Sequence, residues 1–151
     1  MQVEASNALR CLIELQGSEA LLLPVLPELL NEYFRIMAEV GNDSVVAALD
    51  AIINKFGEEL IPHAAVLVQK LAESFLAYAT AEGGEEDDEA AMAACQCVEA
   101  ITTVLSTIAE SEAQASLFAA VQPFLLPVLG LIFSPSGDFL EYLENGLEIM
   151  T

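Results

Sequence analysis

Apolar side chains recur at three- and four-residue steps along almost the whole chain, the spacing that lines up one face of an α-helix. No window alternates apolar and polar residues as a half-buried strand would, so the pattern predicts an all-α protein. A first helix is expected over about Val3 to Leu15, stopped at Gln16-Gly17-Ser18, where glycine suits a helix end. A second is expected from about Leu21 to Val40, with Pro24 and Pro27 in its opening turns. Its apolar stripe is Leu26, Leu29, Leu30, Tyr33, Phe34 and Met37, and Glu28, Asn31, Glu32, Arg35 and Glu39 take the opposite face. Asn42 or Asp43 can cap a third helix by accepting a free backbone N–H. That helix carries Val45, Val46, Leu49, Ile52, Ile53 and Phe56 on one stripe and ends near Gly57.

Pro62 marks the start of a fourth helix, because a first-turn N–H has no helical partner to lose. This helix runs to about Thr80 and buries Leu67, Val68, Leu71, Phe75 and Leu76. Ala81 to Glu89 contains Gly83-Gly84 and a dense run of carboxylates, which reads as a solvated loop. A fifth helix is expected over about Asp88 to Glu110, with acidic residues at the end where the helix dipole favours them. A sixth follows Ser111-Glu112, and Pro123 and Pro127 are expected to kink it or split it in two. After the break Ser134-Pro135-Ser136-Gly137, a last helix should start near Asp138 and still be running at Thr151.

Prolines recur at the start of every second helix: Leu26-Pro27, Ile61-Pro62 and Gln122-Pro123. The first two lie 35 residues apart and the next two 61 apart, and an insertion around the acidic loop accounts for the longer spacing. Two helices per unit and a period near ~40 residues are the signature of HEAT and armadillo-type solenoids. The expected fold is a HEAT-like helical-hairpin solenoid, an α–α superhelix. Residues 1–15 are read as the second helix of a preceding repeat, 19–57 as one hairpin, 58–110 as a hairpin with the acidic loop 81–89, and 113–151 as a third. Such a piece starts with an unpartnered helix and stops inside another, so it is expected to belong to a larger protein. Alone, with the Leu9-Leu12-Ile13 and Leu140-Leu143-Leu147 stripes partly uncovered, it is expected to self-associate or to be marginally stable.

Charge narrows the choice of partners. The chain has 24 acidic and 4 basic side chains, for a formal net charge of -20. Nucleic acid binding needs Lys and Arg to displace counterions from phosphates, so direct contact with nucleic acid is not expected. Basic proteins are the electrostatic complement. A mean hydropathy of +0.53 separates the chain from disordered acidic sequences. Leu117 to Phe133 is the most membrane-like stretch, yet it contains Gln122, Pro123 and Pro127 and barely reaches the ~20 residues a span requires. No membrane insertion is expected.

Signs of chemistry are few. His63 stands alone after Pro62 and reads as a solvated first-turn residue, because a metal site needs three or four ligands. Cys95 and Cys97 have the wrong spacing for Cys-x-x-Cys redox or zinc chemistry; Cys95 is expected in the core, and Cys97 is not expected to be a nucleophile. The carboxylates around Glu85, Glu86, Asp87 and Asp88 lack the order of a calcium loop and suit a basic partner or plain solvation. No cofactor and no enzymatic activity are expected. In a HEAT stack the second helix of each pair lines the concave side, which makes Asp50, Asn54 and Glu58 candidates for a partner-facing strip.

The order of certain segments resembles the central part of importin-β-type nuclear transport receptors, in particular the importin 7 and importin 8 subgroup. These are Leu23-Pro24-Val25-Leu26-Pro27-Glu28-Leu29-Leu30, Asn42-Asp43, Lys55-Phe56-Gly57-Glu58-Glu59-Leu60-Ile61-Pro62, Glu85-Glu86-Asp87-Asp88, the run Ala90 to Ile108, and Asp138-Phe139-Leu140-Glu141-Tyr142-Leu143-Glu144. The resemblance implies binding of protein cargo for import into the nucleus, governed by the GTPase Ran. It also implies contact with Ran and nuclear pore proteins through the full-length receptor, and shuttling between nucleus and cytoplasm. It transfers no Ran-contacting residue. Two other readings share some of these features: a HEAT scaffold unrelated to nuclear transport, and a small helical enzyme or acidic calcium-binding protein.

Overall fold

A computed structural model describes residues 8, 11, 13, 17, 19–40, 43–80, 87–135, 139 and 142–150, and among these every regular element is helical. Gly17 takes a φ of +86°, a backbone conformation that side chains resist and glycine accepts, where the sequence placed the first helix stop. The expected second helix enters in three pieces: α1 (Glu19–Leu22), a 3-10 turn (Leu23–Val25) and α2 (Leu26–Val40). Pro24 lies in that turn, and the Leu26 N–H closes it on the Leu23 carbonyl. The next hairpin repeats the device. After α3 (Asp43–Lys55) come α4 (Gly57–Leu60), a 3-10 turn (Ile61–His63) containing Pro62, and α5 (Ala64–Ala79). The second half consists of α6 (Asp87–Glu110), α7 (Gln114–Ile132) and α8 (Leu143–Met150).

The helices form two layers. First members of the hairpins, α2, α5 and α7, lie side by side, and second members, α3, α6 and α8, do the same. Within the middle hairpin α5 packs on α6, while α6 also packs on α3 and α8, and α5 on α7. First helix on first and second on second is the arrangement of an all-α, HEAT-like solenoid segment.

Burial follows the stripes. On α3, Val46, Leu49, Ile52, Ile53 and Phe56 are all at most 1% exposed, and on α5 so are Leu67, Val68, Leu71 and Phe75. Each such Leu, Ile or Phe contributes about 1.5–3 kcal/mol relative to an exposed side chain. Small residues set the spacing around α6: Ala93, Ala94 and Ala100 are fully buried, which lets neighbouring helices approach closely. Gly57 meets the same helix, where an added Cβ would lie 3.1 Å from Thr107 Oγ1.

Of the two outcomes expected at Pro123 and Pro127, a kink or a split, the split does not occur: α7 runs as one helix from Gln114 to Ile132. Each proline leaves unbonded the carbonyl four residues earlier, Ala119 and Pro123 respectively, and both lie on the exposed side, where water can satisfy them. The last helix starts at Leu143 rather than near Asp138. Ahead of it the Tyr142 N–H bonds the Phe139 carbonyl at 3.1 Å, and the Tyr142 ring packs edge-on against Phe75, centroids 5.3 Å apart. Docking one aromatic ring into the stack takes precedence over extending the helix towards its amino end. Leu143 and Leu147 are exposed, as the stripe predicted for an end of the stack, but Ile13 is fully buried.

Three stretches, Gly57–Ala79, Ala90–Glu110 and Gln114–Ile132, are long and apolar enough by length and composition to cross a membrane. All three pack on other helices of the stack, the last with the least of its surface covered.

Candidate functional site

Asp50 and Asn54 lie one turn apart on α3 and therefore share a face. Asn54 Nδ2 donates to both the Asp50 carbonyl (3.0 Å) and its carboxylate (2.8 Å), which fixes the direction of that carboxylate. On α6, the neighbouring helix of the same layer, the Thr103 hydroxyl sits 3.1 Å from the Glu99 carbonyl and 3.4 Å from Asp50 Oδ1. The carbonyl is the nearer acceptor, so Thr103 borders the carboxylate more than it clamps it. Glu99, one turn before Thr103, is exposed, as is Glu58 on α4. The structure thus places Asp50 and Asn54 together, adds Thr103 and Glu99 from α6, and sets Glu58 apart from them, on α4 at the entrance of the next hairpin. Thr103 is 53 residues from Asp50, and no local sequence signal pairs them.

The remaining candidates are dispersed. Asp87 and Asp88 open α6. Glu85 and Glu86 lie outside the described residues, so the acidic cluster has no described geometry.

The opposite layer has a different character. Between α2 and α5 runs a groove of about 520 Å³ lined by Phe34, Arg35, Val66, Lys70, Glu73 and Tyr78, among others. Two of the chain's four cations lie there, each beside a carboxylate of its own helix: Arg35 Nε donates to Glu32 at 3.0 Å, and Lys70 Nζ to Glu73 at 2.8 Å. The Arg35 bond holds Glu32 below the usual carboxylate range, and bonds from Lys70 and Gln69 do the same for Glu73. These pairs are about half exposed, so water screens them and each is worth little. Burial pushes Tyr78 up to about 12, with a smaller contribution from Cys97. Lys55, on the second layer, donates to the Ile13 carbonyl and so ties α3 to the preceding segment.

Cys97 rather than Cys95 occupies the core. Cys97 is fully buried and burial pushes its thiol far up, which makes it inert, while Cys95 is only half-buried. Cys97 falls in register with Ala93, Ala94, Ala100 and Ile101, the side of α6 that faces its neighbours. His63 is half-buried in the 3-10 turn before α5. Among the described residues no three His, Cys, Asp or Glu side chains gather as a metal site would require. What the arrangement offers is a long helical surface with fixed carboxylates, suited to cationic side chains of another protein.

A two-layer stack of helical hairpins is the architecture of a HEAT-like solenoid segment. No protein-family model matches the chain, and no solved structure does. Three curated relatives match over 99–100% of it: an importin beta-like SAD2 homolog of Arabidopsis thaliana at 35% identity, a probable importin-7 homolog of Dictyostelium discoideum at 27%, and importin-8 of Danio rerio at 24%. The chain belongs to the importin-β family of nuclear transport receptors, within its importin-7 and importin-8 type. It spans about 14% of the length of each of these relatives.

Proposed function

We propose that this chain supplies part of the cargo-binding surface of a nuclear transport receptor and binds basic proteins through its second helical layer. The observation that carries the reading is the Asp50 carboxylate, directed by Asn54 at 2.8 Å and bordered by Thr103 of the next helix, in a molecule of net charge -20. A fixed carboxylate on a rigid helix loses little freedom when a Lys or Arg meets it, and the surrounding charge steers cations inwards. Glu58, Glu99 and the acidic stretch Glu85, Glu86, Asp87 and Asp88 extend the attraction. In the longer protein this contact serves Ran-dependent import, with Ran and nuclear pore proteins engaged by other parts of the receptor and the whole shuttling between cytoplasm and nucleus. The repeat division 1–15, 19–57, 58–110 and 113–151 belongs to the same reading, as does the assignment of the three long apolar stretches to stacking rather than to a membrane.

The test is charge reversal on the strip. Asp50→Lys together with Glu58→Lys should weaken binding of a fluorescent Lys- and Arg-rich import-signal peptide about tenfold or more, and the wild-type affinity should fall steeply with salt. Unchanged affinity in the double variant would remove the strip as the site. Ran dependence is tested separately, by pull-down of cargo with the extended receptor in the presence and absence of GTP-loaded Ran.

A further inference from the structure

Of the six prolines in the chain, only Pro135 follows a hydroxyl residue, Ser134. The pair lies in the turn after α7, where Pro135 is exposed and Ser134 partly so. The Ser134 N–H bonds the Leu131 carbonyl at 3.1 Å, so the serine directly follows the carbonyl end of α7. A following proline steers its backbone towards an extended course, the form in which protein kinases take their acceptor. The turn joins the two layers at the edge of the ladder. Hairpins of a longer stack pack against helix faces, which leaves such a turn uncovered. A second observation concerns charge. No Lys, Arg or His follows Lys70, so every charged side chain from Leu71 to Thr151 is a carboxylate. Lys70 itself lines the groove between α2 and α5, where it bonds Glu73.

We propose that Ser134 is a phosphorylation site for a proline-directed protein kinase and that its phosphate loosens α8 from the stack. Ser136 and Gly137 follow the proline, so the kinase is of the kind that reads proline alone and needs no basic residue after it. Ser134 Oγ attacks the γ-phosphorus of ATP, the bond to the bridging oxygen breaks, and ADP leaves while the hydroxyl proton passes to the kinase's catalytic carboxylate. The product carries about two negative charges at neutral pH. They stand at the negative end of the α7 dipole and add to the carboxylates Glu144 and Glu148 of α8, with no cation in that half of the chain to offset them. Helix α8 is lightly held. Its Gly146 lies against Ile132 and Phe133, the two residues before Ser134, at 2.9 and 3.3 Å from where a Cβ would stand. Tyr142 docks on Phe75 just ahead of it. An eight-residue helix does not persist in water without such packing, so added repulsion at this corner frees it. None of this depends on the cargo reading of the second layer.

The test treats the folded 151-residue chain with purified proline-directed kinases and ATP labelled in its γ-phosphate, then measures amide hydrogen exchange. Label should enter the wild type at Ser134 and be absent from Ser134→Ala and from Pro135→Ala. In the phosphorylated chain the amides of Leu143–Met150 should exchange about tenfold faster, while those inside α3 and α5 keep their rates. Ser134→Glu should reproduce part of that gain. Ser134→Gln, of similar size but neutral, should exchange like the wild type, which separates the effect of charge from loss of the serine. Label that fails to enter the folded chain, or enters only after heat unfolding, would overturn the proposal, as would equal labelling of Ser134→Ala. Phosphorylation that leaves α8 exchange unchanged, or equal acceleration in the Glu and Gln variants, would overturn it as well.

Discussion

Helices α6 and α7 look alike in composition and meet opposite fates. Both are long and apolar enough to pass for membrane spans, yet half of the apolar window of α6 is buried within the fold and only 22% of that of α7. The difference is neighbours. Helix α6 has α5 across the layers, α3 and α8 on either side within its own layer, and α7 against it as well. Helix α7 leans mainly on α5, and its far side meets nothing among the described residues. In a stack, burial is set by position in the ladder, so hydropathy alone does not separate a core helix from an exposed one.

The sharpest way to break this comparison is to truncate one apolar residue in each helix. Ile101→Ala, at a fully buried position of α6, should cost about 2–4 kcal/mol in denaturant unfolding, whereas Leu126→Ala on α7 should stay within about 0.5 kcal/mol at low protein concentration. Equal costs would mean that α7 is as enclosed as α6. Next in size is Gly146→Ala, where α8 crosses the end of α7. The added Cβ would lie 2.9 Å from Ile132 Cγ2 and 3.3 Å from Phe133 Cζ, so about 1–2 kcal/mol should be lost.

Tyr33 extends the comparison to the first layer. Its ring is 2% exposed and its hydroxyl has no hydrogen-bond partner among the described residues, so Tyr33→Phe should stabilise the chain by about 1 kcal/mol. Burial pushes the Tyr33 hydroxyl up to about 12 from an ordinary value of 10.0. The folded state favours the neutral ring, so that contribution is complete below pH 10 and is lost as the pH rises through about 12. Alkaline melts of Tyr33→Phe should therefore fall less between those values than melts of the wild type. The smallest effect belongs to Glu73, whose pKa is lowered by its bonds to Lys70 and Gln69. Its contribution is present above the ordinary value of 4.5 and disappears as the pH falls below it, and Glu73→Gln should change stability by less than about 0.5 kcal/mol at pH 7.

Much of this fold was legible because the relevant forces act over a few residues. The stripes of α3 and α5, the stop at Gly17 and the entrances marked by Pro27 and Pro62 follow from local spacing and backbone chemistry, whereas Pro123, read as a third helix start, lies midway along α7. Contacts between distant segments were not legible. The delayed start of α8 depends on Tyr142 reaching Phe75, and the unbroken course of α7 depends on which side of the helix its prolines occupy. Cys97 rather than Cys95 enters the core because of the direction from which α5 and α3 approach α6, which periodicity within α6 leaves open. In the candidate site, Asp50 and Asn54 could be paired from their four-residue spacing, whereas Thr103 and Glu99 enter only when α6 is laid beside α3.

The most direct measurement is amide chemical-shift mapping of the 15N-labelled chain during titration with a Lys- and Arg-rich import-signal peptide at low salt. Shifts concentrated on Asp50, Asn54, Glu99 and Thr103 are the predicted result, with the exposed side of α7 unchanged. Shifts confined to Phe118, Leu126 and their neighbours on α7, or none at saturating peptide, would contradict the assignment of binding to the second layer.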